Sequence, residues 1–66
     1  MNIYLNGADH QLSESTSIYA LLDALGFLQK RVAVEVNGSI VPRSLHVETI
    51  LRADDKVEVI HAIGGG

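Results

Sequence analysis

The sequence predicts an α+β fold in which one helix packs against a mixed sheet of four to five strands. Several stretches alternate apolar and polar residues with the period of a strand, whereas residues 15–27 show the period of an amphipathic helix. One helix covers only one face of a sheet, so a two-layer arrangement follows. The 66 residues make one domain that is too small for a deep cavity, and we therefore do not expect a self-contained enzyme.

The first element is a β-hairpin. Ile3 and Leu5 share one face of a strand that ends at Asn6-Gly7, a dipeptide that tolerates positive φ in a tight turn. We place the second strand of the hairpin around residues 10–13.

An amphipathic helix follows the hairpin. Either Thr16 or Ser17 can serve as its N-cap, and Gly26 stands where a left-handed C-cap glycine belongs. The apolar stripe has the spacing i, i+3, i+4 and i+7 and consists of Ile18, Leu21, Leu22 and Leu25.

Two further strands come after the helix. Residues 31–37 alternate with a period of two and end at an Asn-Gly turn, and residues 39–42 form a short strand that stops at the proline. We interpret residues 44–48 as an irregular crossing or a single turn.

The last strand occupies residues 56–62 and follows a turn at Asp54-Asp55. Its apolar content predicts a central place in the sheet, and the order of the elements predicts a β-grasp layout. One face of this strand carries Val57, Val59 and His61, and the other carries Glu58, Ile60 and Ala62.

Composition excludes several classes of function. The net charge is −3 and the five basic residues form no cluster, so nucleic acid is not an expected partner. The chain has no cysteine, which removes disulfides and thiolate metal sites. The histidines, at positions 10, 46 and 61, lack ligand spacing, and we expect them on the surface or at sheet edges, with no metal bound. Without a signal peptide or a long apolar run, we expect a cytoplasmic protein that does not enter membranes.

The chain finishes with three glycines directly after the last strand. We therefore divide it into a β-grasp domain at residues 1–63 and a flexible glycine tail at residues 64–66. A tail without side chains can enter a narrow active site of another protein, so the terminal carboxylate of Gly66 is the candidate reactive group. The alternative, from the tail alone, is an ordinary disordered terminus or a glycine linker.

The chain resembles, over its whole length, the ThiS family, the ubiquitin-like sulfur carrier proteins of thiamine biosynthesis. The resemblance rests on the order of the elements and on the terminal glycines. It also rests on Val-Asn-Gly at 36–38, which leads into Ile-Val-Pro-Arg at 40–43, and on Asp-Asp-Lys-Val-Glu at 54–58.

This resemblance implies a carrier that is itself a substrate of enzymes. It implies that a ubiquitin-activating-like adenylyltransferase uses ATP to adenylate Gly66, and that sulfur donor proteins convert the adenylate to a thiocarboxylate. The sulfur then passes to thiazole synthase. The carrier binds no cofactor of its own, and Gly65 and Gly64 thread the tail into the partner's active site.

A partner interface is expected on the sheet face that the helix does not cover. Ile60, Ala62 and Ile63 would form a small apolar patch beside the tail, of the kind that marks interaction sites. The alternative is that Ile60 belongs to the core.

Other functions remain open at the level of sequence. A molybdopterin-type sulfur carrier uses the same tail chemistry, although the short chain and the segment at 40–43 favour thiamine. A ubiquitin-like protein modifier would be expected to carry a basic tail, where this chain has His-Ala-Ile. An interaction domain with an inert C-terminus is the third alternative.

Overall fold

The structure, a computed structural model, describes residues 1–61 and contains, within them, one α-helix and a five-stranded sheet. The strand order is β2-β1-β5-β3-β4, with β1 and β5 parallel and the other neighbours antiparallel. The predicted α+β architecture and the central position of the last strand are confirmed. The elements are β1 (Asn2–Leu5), β2 (Ala8–Gln11), α1 (Ile18–Leu25), β3 (Val32–Val36), β4 (Ser39–Ile40), a 3-10 turn (Arg43–Leu45) and β5 (Lys56–His61).

The first hairpin closes more tightly than the sequence predicted. Asn6 and Gly7 both have positive φ, 50° and 83°, as a two-residue hairpin turn requires. This turn sets Leu5 directly opposite Ala8, so β2 begins at Ala8 and the predicted start near residue 10 is wrong. β4 also ends earlier than predicted, at Ile40.

The helix has the predicted limits and caps. The Ala20 amide donates to Ser17 Oγ over 3.0 Å, which makes Ser17 the N-cap. Gly26 has φ 79°, and its amide donates to the carbonyl of Asp23. Within residues 1–61, no helix is long and apolar enough to cross a membrane.

The core lies between α1 and the covered face of the sheet. Leu51 belongs to this core although it lies in no strand or helix, and its amide donates to the carbonyl of Thr16 over 2.8 Å. The segment before β5 therefore closes one side of the core. The buried apolar residues are Ile3, Ile18, Leu21, Leu22, Val34, Leu51, Val57 and Val59.

His46 is buried, so the prediction that it is a surface or edge histidine is wrong. It follows the 3-10 turn in the crossing from β4 to β5, and only 5% of its surface is exposed. Its Nε2 donates to the carbonyl of Val41 over 3.0 Å, because a carbonyl can only accept. The His46 carbonyl in turn accepts from the Tyr19 amide at 3.0 Å. His46 thus ties the crossing both to the end of β4 and to the first turn of α1.

Candidate functional site

The central strand of the sheet, β5, is the last described element before the C-terminal glycines. β5 is described up to His61, whose ring centroid lies 5.9 Å from that of Phe27 at an interplanar angle of 31°. The predicted reactive glycine lies five positions beyond His61. The remaining predicted site residues fall outside the described residues and stay predictions; they are Ala62, Ile63, Gly64, Gly65 and Gly66.

Side-chain amides hold β5 in place at both flanks. Asn6 Oδ1 accepts from the Val59 amide at 2.9 Å, which continues the β1–β5 ladder beyond the end of β1. On the other flank, Asn37 Oδ1 accepts from the Lys56 amide at 2.9 Å, and Asn37 Nδ2 donates to Asp55 Oδ1 at 3.0 Å. These hydrogen bonds fix the position of β5, the strand that precedes residues 62–66 in the sequence.

These contacts were not predicted, because the pattern of the sequence assigns Asn6 and Asn37 only to turns. The available signal was that both Asn-Gly turns use asparagine, whose side chain can both donate and accept hydrogen bonds.

Ile60 lies on the open face of the sheet. Its side chain is 49% exposed, so the alternative that it is a core residue is wrong. Ala33 stands opposite Ile60 in the β3–β5 pairing and is also exposed. Val59, its neighbour in β5, is buried against the helix layer, as the alternation predicted. Ile60 and Ala33 therefore form an apolar area near the end of β5, and its role as an interface remains a prediction.

Two carboxylates face each other beside this apolar area. Glu58 lies directly opposite Glu35 in the β3–β5 register, and like charges in such positions repel. Ile40, opposite Glu35 on β4, is 68% exposed. Tyr4, opposite Lys56 on β1, is 38% exposed. The open face thus combines exposed apolar side chains with the facing pair Glu35 and Glu58, and Lys56, two residues before Glu58, lies on the same face.

The described residues contain no obvious metal centre. Within residues 1–61, no group of three or more His, Asp or Glu side chains is arranged to hold an ion. The acidic pair at Asp54 and Asp55 forms a turn, in which Asp54 has φ 69° and Asp55 Oδ2 accepts from the Arg52 amide. The turn interpretation of these two residues is confirmed.

Within residues 1–61, one helix packs on a five-stranded mixed sheet whose central strand is the last in the sequence, and this arrangement defines a ubiquitin-like β-grasp protein. The chain belongs to the ThiS family, whose model matches residues 3–66.

Solved structures agree with this membership. The crystal structure of the thiamine biosynthesis protein ThiS from Geobacter metallireducens superimposes with a TM-score of 0.85 at 35% identity, and the match covers all of both chains. The solution structure of a thiamine biosynthesis protein from the same organism gives a TM-score of 0.82 over 100% of this chain and 88% of the other.

Curated relatives fall into two kinds. A thiazole synthase of Magnetococcus marinus is 44% identical over 66 residues, which span the whole of this chain but only 20% of the synthase. The uncharacterized protein ycf40 of Pyropia yezoensis is 41% identical and is covered over 93% of its length. The chain therefore spans about a fifth of the longer relatives and nearly all of the shorter ones.

Proposed function

We propose that this chain is a sulfur carrier for the formation of the thiazole ring of thiamine. The observation that supports this most strongly is that a thiazole synthase contains a segment 44% identical to the entire chain. A carrier joined covalently to its acceptor enzyme acts at a high effective concentration, which is an advantage for two domains that must meet repeatedly. In this proposal thiazole synthase is the partner that accepts sulfur from the chain.

The proposed chemistry takes place on the carboxylate of Gly66. This carboxylate is ionised at neutral pH and resists nucleophiles. A carboxylate oxygen attacks the α-phosphorus of ATP in the activating enzyme, and pyrophosphate leaves. The outer sulfur of a persulfide on a donor protein then attacks the carbonyl carbon and AMP leaves, which gives an acyl disulfide. A thiol next attacks the donor's sulfur of that bond, so that the thiocarboxylate leaves and a new disulfide forms between the thiol and the donor. The chain contributes the acyl group and the surfaces that partners recognise, and the enzymes contribute the catalytic groups.

The same tail chemistry fits two alternatives, a molybdopterin-type sulfur carrier and a ubiquitin-like protein modifier. The relatives named thiazole synthase favour the thiamine pathway over both. No described feature favours attachment of the chain to lysine side chains.

Intact-mass spectrometry of the chain, purified from its host grown without thiamine, tests the proposal. We expect a population whose mass is greater by the difference between one sulfur and one oxygen atom, and we expect this population to vanish when Gly66 is deleted. Fragmentation should place the added mass on the terminal residue. An unmodified mass under thiamine starvation, combined with no adenylate formed by the activating enzyme, would refute the carrier function.

The open face of the sheet is the proposed contact surface for these partners. Ile60 and Ala33 provide apolar area near the end of β5, and the facing pair Glu35 and Glu58 provides a site for a partner's cation. A partner that covers this face also lies beside the strand from which the tail departs. One binding event would then both hold the domain and place Gly66.

We expect Ile60→Glu to weaken binding to the activating enzyme by about tenfold or more, because burial of an unpaired carboxylate at an interface is costly. Ile50→Glu is the matched control, since Ile50 is 47% exposed and lies outside the open face, at a bridge to Ser17. Affinity is measured by calorimetry and folding by the melting temperature. Equal affinities for the two variants would contradict the proposed interface.

A further inference from the structure

A groove of about 700 Å³ lies between the C-terminal end of α1 and the start of β3. Lys30, Arg31 and Arg43 line it, and none of its lining residues is acidic. These are three of the five Lys and Arg side chains in the chain, so the other two and all eight Asp and Glu side chains lie elsewhere. The groove is therefore a positively charged site on a protein whose net charge is negative, and it favours an anionic ligand.

Among residues 1–61, no strand pairs with the outer edge of β3 where it borders the groove. The Val34 carbonyl accepts from the Val41 amide at 2.9 Å, so the peptide groups of Val34 point toward β4. Successive residues of a strand point their peptide groups to opposite sides, so those of Val32 point the same way as those of Val34. β4 is too short to reach Val32, because the chain turns away at Pro42 into the 3-10 turn. The Val32 amide and carbonyl thus face the groove, where an extended chain can pair with them.

The sides of the groove are apolar. Phe27 and Leu28 are half-buried on one side, whereas Tyr19 and Val47 are 46% and 67% exposed. Such side chains suit apolar residues of a ligand, which a free phosphate compound would lack.

The groove also continues onto the open face of the sheet, because Ala33 and Ile60 belong to its lining. A protein that covers the open face can therefore extend a segment into the groove without a gap between the two contacts.

We propose that this groove binds an extended segment of a partner protein in which acidic and apolar residues alternate. The segment pairs its backbone with Val32, places an apolar side chain between Phe27 and Val47, and directs carboxylates toward Arg31 and Arg43. Charge complementarity, the open strand edge and the apolar sides each favour this ligand, and no one of them depends on sulfur chemistry. The segment would supply a second contact that holds the carrier domain independently of its tail.

The test is an NMR titration of the ¹⁵N-labelled chain with the blocked pentapeptide Glu-Val-Asp-Leu-Glu. We expect saturable shifts of the amides at residues 30–33 and 43–47, with the largest at Val32. A matched peptide with lysine in place of each acidic residue should leave these amides unshifted. The double variant Arg31→Glu/Arg43→Glu should weaken binding by about tenfold.

The control variant is Arg52→Glu/Lys56→Glu, which makes the same change in net charge with the two basic residues outside the groove. We expect its affinity to stay within about twofold of the unmodified chain. Several results would overturn the proposal. They are an absence of saturation at millimolar peptide, shifts centred on Tyr4 and Glu58, equal losses in both double variants, and tripolyphosphate binding as tightly as the peptide.

Discussion

We expect Gly65→Val to reduce ATP–pyrophosphate exchange with the activating enzyme by about 100-fold or more while the domain stays folded. Glycine adopts backbone conformations that other residues cannot, and it lets a partner's backbone approach closely. Valine is branched at Cβ and stiff at χ1, so it restricts the tail and widens it at the same time. A displacement of the Gly66 carboxylate by about 1 Å from the α-phosphorus is enough for a loss of this size.

Ala53→Val is the matched control for this substitution. Ala53 is exposed, and it precedes β5, whereas the tail follows β5 at its other end. We expect this variant to exchange pyrophosphate at the normal rate. Both variants should keep the melting temperature of the unmodified chain, since neither replaces a core residue. Normal exchange by Gly65→Val would contradict the threading of the tail, and loss of exchange in both variants would point to a nonspecific effect.

The sequence predicted those helices and strands that are determined by residues close together in the chain. The stripe of Ile18, Leu21 and Leu22 fixed the face of the helix, and Ser17 and Gly26 marked its ends. Such signals are strong because capping and side-chain spacing act within one or two turns of the same segment. The alternation in β5 likewise predicted that Ile60 would lie on the face opposite Val59.

Features that depend on distant parts of the chain were not predictable in the same way. His46 is buried because Val41 offers it a carbonyl and the first turn of α1 packs beside it. The sequence has a histidine there with no periodic pattern around it. Leu51 is buried for a similar reason, since its amide bonds to Thr16, which is remote in sequence. Both positions lie in a crossing whose course is set by tertiary contacts rather than by propensity.

Within the candidate site, too, only the features that depend on a single strand could be predicted from the sequence. Ile60 could be selected from sequence because alternation within one strand assigns its face. The facing pair Glu35 and Glu58 could not, because it depends on the register between β3 and β5. The groove could not be predicted from sequence either. It is formed by three separate parts of the chain, which are the end of α1, the open edge at Val32 and the turn that carries Arg43.

We expect His46→Ala to lower the melting temperature by roughly 8–16 °C, which corresponds to about 2 kcal/mol for a domain of this size. The substitution removes the donor to the Val41 carbonyl and leaves that partly buried acceptor unpaired, and it also removes a buried ring. A domain of this length has a total stability of roughly 3–10 kcal/mol, so the loss is a large fraction of the total. Because the crossing carries Arg43 and Val47, the groove should also lose its peptide affinity.

His46→Gln separates the hydrogen bond from the shape of the ring. The Nε2 group of glutamine is an amide donor that can reach the same carbonyl. The melting temperature of His46→Gln should therefore lie between those of His46→Ala and the unmodified chain. His10→Ala is the second control, since His10 is half-buried on β2 and lies outside the crossing. If both His46 variants melted at the same low temperature, ring packing would account for the loss. If His46→Ala melted with the unmodified chain, the bond to Val41 would contribute nothing to folding, and the crossing would be held by its backbone contacts alone.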